Sequence, residues 1–147
     1  MTGRGISKDT LFAQEERFAR AFADRNPAAA RDLYQPDVVY VSPTVRLFDW
    51  PARIDGVERT LEFIALTIRH CADIRYEVLQ HAITPDANAA FVRVQFDWTQ
   101  GGERLRSTYV VLYQYRDRRI ARQELYYDPS GALERLPSCR HDSDDAV

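Results

Sequence analysis

Between Leu11 and Phe22 the apolar residues Leu11, Phe18 and Phe22 return at helical spacing with Ala19 beside them. Glu15, Glu16, Arg17 and Arg20 read as the solvent side of this first helix, and Asp9 or Thr10 stands in capping position. Asn26-Pro27 opens a second, short helix, with asparagine as cap, proline preorganised at the first helical position and Pro36 as its stop. Val57, Leu61, Ile64 and Ile68 then form one buried stripe of a third helix, which Asp55 and Glu58 precede at capping-box spacing.

The texture changes after Cys71. Runs at 74–84, 89–100, 104–116 and 119–128 are rich in β-branched and aromatic residues, and the turns Pro85-Asp86-Ala87-Asn88, Gly101-Gly102-Glu103 and Arg116-Asp117-Arg118 separate them. A further short strand is expected at Val38–Val41. The segment from Pro43 to Ile54, with Trp50 between Asp49 and Pro51, reads as an irregular mouth or lid. The expected architecture is α+β: three N-terminal helices packed in the concave face of a strongly curved, mostly antiparallel sheet, leaving a cone-shaped apolar pocket. One domain is expected over 9–136, with flexible ends at 1–8 and 137–147.

Composition narrows the function classes. The 147 residues carry a net charge of −2, which gives no overall field to hold nucleic acid, and the one basic cluster (Arg116, Arg118, Arg119, Arg122) lies around a turn without stacking aromatics. Lys8 is the single lysine, so positive charge is almost all guanidinium. Cys71 and Cys139 suit neither a disulfide framework nor a metal site, no histidine pair has metal spacing, and no phosphate loop or nucleophile elbow occurs; no metal or cofactor is expected. With no apolar signal core and no membrane-length run, a cytoplasmic location without membrane contact is expected.

Strand alternation groups Val92, Val94, Phe96 and Trp98 on one face, opposite Arg93, Gln95, Asp97 and Thr99. Thr108, Val110 and Leu112 oppose Tyr109, Val111, Tyr113 and Tyr115, while Leu125 and Tyr127 oppose Glu124 and Tyr126.

Three stretches, "FARAFADRNPAAARDLYQPDVVYVSP", "IDGVERTLEFI" and "YVVLYQYRDRRIARQELYYD", together resemble the nuclear transport factor 2-like superfamily, which includes ketosteroid isomerases, scytalone dehydratase, limonene epoxide hydrolase and SnoaL-like polyketide cyclases. The resemblance implies a cone lined by Phe18, Tyr34, Ser42, Trp50, Phe96, Trp98, Thr108, Val110, Leu112, Leu125 and Tyr127, suited to a small hydrophobic molecule. It also implies a homodimer through the sheet face bearing Tyr109, Val111 and Tyr113. The ketosteroid isomerase donors fall on Phe18 and near Thr108, and its base on Ser42; the cyclase histidine and aspartate fall near Val111 and Leu125. Those catalytic groups are therefore replaced.

A cofactor-independent acid–base enzyme (isomerase, cyclase, dehydratase or hydrolase) would need a recruited base, for which His81, Asp97 and Asp128 are the candidates. A one-residue register slip would instead turn Asp97, Tyr109 and Glu124 inward. His70, at a helix end, and Asp49, on the Trp50 segment, are weaker candidates. The alternatives are a non-catalytic binding protein with the same pocket, or an association module that recruits another protein through its tyrosine face.

Overall fold

A computed structural model describes residues 5–43 and 49–128 of the chain. Helix α1 (Lys8–Ala23) is capped by Ser7, whose hydroxyl accepts the Thr10 N–H at 3.1 Å, rather than by Asp9 or Thr10. Ile6 is buried and donates its N–H to the Ala87 carbonyl at 2.9 Å, so Ile6 and Ser7 belong to the domain and not to a flexible end. The expected second helix is a 3₁₀ helix, Pro27–Leu33. Strand β1 (Tyr34–Val41) follows at once, and Pro36 sits in it where the register shifts between Tyr34 and Val39. A proline lacks the N–H that regular pairing needs, so an irregular stretch is where a strand tolerates it.

Strand β2 (Arg53–Asp55) adds a short strand at the end of the segment expected to be irregular; residues 44–48 of that segment lie outside the described ones. Helix α2 (Val57–His70) buries Leu61, Ile64 and Ile68 as expected, with Thr60 and Phe63 added. Its cap position holds Gly56 at φ 93° and no side chain caps it, so Asp55 and Glu58 do not form a capping box. Its other end is closed from a distance. Arg25 donates from its guanidinium to the carbonyls of Ile68 at 2.6 Å and Cys71 at 3.3 Å, two acceptors that the last turn leaves open.

Strands β3 (Ala72–Ile83), β4 (Ala89–Gln100), β5 (Glu103–Arg116) and β6 (Arg119–Tyr127) form the expected meander. All six strands join one curved sheet in the order β2-β1-β6-β5-β4-β3, antiparallel except for the parallel pair β1–β6. The helices cover the inner face, and the core between them and the sheet is dominated by aromatic side chains such as Phe18, Tyr34, Phe63, Phe96 and Trp98. Among the described residues no helix is long and apolar enough to cross a membrane.

Candidate ligand cavity

The wall of the cone is decided by a hairpin. Gly101 and Gly102, at φ 60° and 80°, make a two-residue turn that pairs Gln100 with Glu103. Such turns need positive φ at both positions, which glycine supplies without strain. With this pairing, even-numbered β4 residues face odd-numbered β5 residues: Phe96 opposes Ser107, Val94 opposes Tyr109, Val92 opposes Val111 and Ala90 opposes Tyr113. Phe96 and Trp98 point inward as expected, but their β5 companions are Ser107, Tyr109, Val111 and Tyr113, all buried. Thr108, Val110 and Leu112 consequently stand on the outer face and line no cone. Counting the turn as three residues, with Glu103 in it, moves the strand by one position and inverts every β5 side chain. Tyr109, Val111 and Tyr113 are for the same reason interior residues, unable to form a dimer face. On β6 the same ladder brings Leu125 and Tyr127 inward as expected, together with Gln123.

Between α1, α2 and this wall lies a cavity of about 30 Å³. Six aromatic rings line it, those of Phe18, Phe22, Tyr34, Tyr40, Tyr76 and Tyr109, along with Ile64, Leu125 and the Gln123 carboxamide. Tyr34 donates its hydroxyl to Gln123 Oε1 at 2.7 Å. Gln123 is only 7% exposed, yet its amide N–H groups have no hydrogen-bond partner among the described residues, and neither has the buried Tyr109 hydroxyl. Buried donors are normally satisfied, so these two groups are polar points of the cavity wall, Gln123 standing opposite Tyr113 and thus four β5 positions from Tyr109.

Behind the rings sits a carboxylate that the sequence reading had placed in solvent. Glu15 is 3% exposed and accepts hydrogen bonds from Tyr76 at 2.5 Å, Tyr113 at 2.7 Å and Gln14 Nε2 at 2.8 Å. Gln14 in turn accepts the Tyr115 hydroxyl at 2.9 Å. Burial pushes the Glu15 carboxyl above its ordinary range, and the three donated hydrogen bonds only partly oppose it. Desolvation likewise raises Tyr34, Tyr40, Tyr76, Tyr109 and Tyr113, with the negative charge of Glu15 adding to the rise at Tyr34, Tyr76, Tyr109 and Tyr113. The interior is therefore a place where phenols stay protonated.

Residues 16–123 match the family model of the SnoaL-like domain. This chain belongs to the SnoaL-like family. Solved structures agree on the fold: TsrD from Streptomyces laurentii superposes with a TM-score of 0.71 at 17% identity, covering 89% of this chain and 96% of that one. A protein with a ketosteroid isomerase-like fold from Catenulispora acidiphila, in complex with trimethylamine, gives 0.70 at 18% identity, covering 90% and 96%. An LEH-like epoxide hydrolase of M. tuberculosis gives 0.66 at 16% identity, covering 87% and 85%. No curated protein matches the sequence.

Within this SnoaL-like domain, Phe18, Tyr34 and Leu125 line the cavity as expected from the sequence. Phe96 and Tyr127 lie one layer out, against Phe22 and Tyr109 respectively, and Trp98 packs on Phe96 with its indole N–H directed to Gln100. Ser42 is fully buried but is hydrogen-bonded to Tyr40. Trp50 is half-buried against Phe63, with the Arg59 guanidinium 4.0 Å over its ring, and does not line the cavity.

None of the three candidate bases reaches the cavity. A register shift between Val78 and Gln80 gives His81 the phase of the helix-covered face, where its exposed ring meets Phe12 edge-on at 4.8 Å. Asp97 stands on the outer face, paired with Arg106 at 3.3 Å. Asp128 is exposed just past β6. Of the residues a one-position slip would bring in, Tyr109 is inside, whereas Asp97 and Glu124 remain outside, Glu124 held by Arg122 and Tyr126. Phe22, Tyr40, Ile64, Tyr76, Gln123 and Glu15 are the residues that sequence reasoning missed, and Tyr109 entered it only through the one-position slip. Glu15 had a signal: it sits four residues after Leu11 and three before Phe18, on the stripe itself.

Proposed function

We propose that this chain binds a small, mostly apolar molecule carrying one hydrogen-bond-accepting oxygen between α1 and the sheet, where the cavity of about 30 Å³ has to widen to admit it. The observation that carries this reading is the pairing of an aromatic lining with two buried polar groups that have no partner among the described residues, the Gln123 amide N–H groups and the Tyr109 hydroxyl. Apolar surroundings give affinity through burial, and either donor can orient the oxygen of the guest. Cyclohexanone and its carbon isostere methylenecyclohexane provide the test, by titration calorimetry on the wild type and on Gln123→Leu. The wild type is expected to prefer the ketone, and the variant to lose that preference. Equal binding of both compounds to the wild type, or of neither, overturns the reading.

A cofactor-independent acid–base reaction is a second reading, and the Tyr76–Glu15 hydrogen bond favours it by joining the cavity wall to a carboxyl group. A bound molecule recovered chemically unchanged after prolonged incubation counts against turnover.

Self-pairing is part of the same proposal, through the outer sheet face. Phe91 and Tyr126 are 44% and 58% exposed there, beside the half-buried Val110 and Leu112. A second copy is the occupant that this surface fits, because aromatic and aliphatic side chains stand in it among Arg93, Arg122 and Glu124, charges of both signs that can pair across a two-fold axis.

A further inference from the structure

A buried N–H that finds no acceptor in its own chain is rare, and the usual remedy is an ordered water. Gln123 presents this case on the inner face of β6. It is 7% exposed, its carboxamide oxygen accepts the Tyr34 hydroxyl at 2.7 Å, and its amide N–H groups meet no acceptor among the described residues. Gln123 and Tyr34 both line the cavity, so this hydrogen-bonded pair borders open space. The size of that space matters. A single water needs roughly 10–15 Å³, and the cavity provides about 30 Å³, enough for a water and too little for a larger molecule without movement.

A dry cavity is the competing state, and the lining argues against it. Voids that stay dry are apolar, whereas this one is bordered by the Gln123 carboxamide and four tyrosines, Tyr34, Tyr40, Tyr76 and Tyr109. Tyr34 gives its hydroxyl proton to Gln123, and its oxygen keeps lone pairs that can accept another. One hydrogen bond thus holds an available donor, the Gln123 N–H, beside an available acceptor, the Tyr34 oxygen. We propose that the cavity is a binding site for one ordered water, which accepts from the Gln123 amide and donates to the Tyr34 oxygen, closing a hydrogen-bonded ring with the carboxamide. This site does not depend on a larger guest. A guest that does enter has to take the water's place: an accepting oxygen takes over the Gln123 N–H, while a hydrocarbon leaves it bare.

A crystal structure of the whole chain, grown without added ligand and at a resolution that orders buried waters, reads the site directly. The expected result is a water peak about 3 Å from both the Gln123 amide nitrogen and the Tyr34 oxygen. The double variant Tyr34→Phe, Gln123→Leu removes both partners while nearly keeping their volumes, and there the peak should be lost. A wild-type map with no such peak overturns the inference, as does a water that persists at the same place in the double variant. The wild-type map decides the matter even where the variant does not fold. Titration of the wild type with cyclohexanone separates this inference from the ligand-binding reading above. A water peak without cyclohexanone binding leaves the water site standing and removes the larger guest; binding without the peak does the reverse.

Discussion

The Tyr76 hydroxyl lies 2.5 Å from Glu15 Oε1, a contact between the middle of β3 and the middle of α1 that ties the cavity wall to a buried acid. It makes the helix–sheet packing responsive to protonation. Burial raises the Glu15 carboxyl in the folded chain, so the folded state binds its proton more tightly than the unfolded state does. The stabilising protonated form is complete below the unfolded value and is lost as pH rises through the folded one. Glu15→Gln removes this dependence while keeping the shape. Wild type minus variant stability, from urea unfolding, should therefore become more favourable to the wild type as pH falls from 7 toward 4. A flat difference would show that Glu15 is not held above its ordinary range.

The Tyr34–Gln123 bond is buried on both sides, so losing one partner should cost more than losing both. Tyr34→Phe is expected to destabilise by about 1–3 kcal/mol, since it leaves a buried carboxamide oxygen unsatisfied. Gln123→Leu leaves the Tyr34 hydroxyl orphaned at a similar cost. The double variant should recover part of the sum, and a double-mutant cycle in chemical denaturation measures that coupling.

Arg25 closes α2 with two charge-assisted hydrogen bonds to backbone carbonyls. Arg25→Ala is expected to lower stability by about 1.5–3 kcal/mol. Arg20→Ala breaks only an exposed ion pair with Glu16 and should change stability by less than about 1 kcal/mol. Thermal melts of the two variants side by side check the contrast.

Alanine at His81, Asp97 or Asp128 should leave the affinity for a cavity ligand within about twofold of wild type, because none of the three lines the cavity. Tyr109→Phe, which removes only a hydroxyl from the wall, should weaken an oxygen-bearing ligand by about five- to tenfold, the worth of one buried hydrogen bond. Calorimetry with cyclohexanone reads both.

Phe91→Glu places a charge on the outer face without touching the core, since Phe91 is 44% exposed. The wild type is expected to run as a dimer in light scattering and the variant as a monomer with an unchanged far-ultraviolet spectrum. A monomeric wild type would remove the self-pairing proposal and leave the cavity untouched.

The elements were legible because their periodicities are strong. The stripe of Val57, Leu61, Ile64 and Ile68 places α2 to within a residue, and β4 runs from Ala89 to Gln100 as its alternation indicates. The cavity was less legible, because its lining depends on parity between strands and not on any one strand. Gly101-Gly102 carried the information, since a two-residue turn is the favoured connection for glycine pairs, and Glu103 belonged to the strand. The His81 side could not be read in the same way. Nothing about Leu79 announces the register shift beside it. Glu15 was misplaced by its charge: its stripe position argued for burial, and the usual solvation of glutamate argued against it.

The hairpin at Gly101-Gly102 lies outside the set of residues that line the cavity, yet it selects which half of β5 a ligand meets. One residue inserted there, with the rest of the fold retained, would exchange a phenol-bearing wall for one of Thr108, Val110 and Leu112. Related chains on this scaffold can thus change the chemistry of their interior by altering loop length, with no substitution at any lining position. In such a family a length difference at this turn is as informative about ligand class as the identity of the pocket residues.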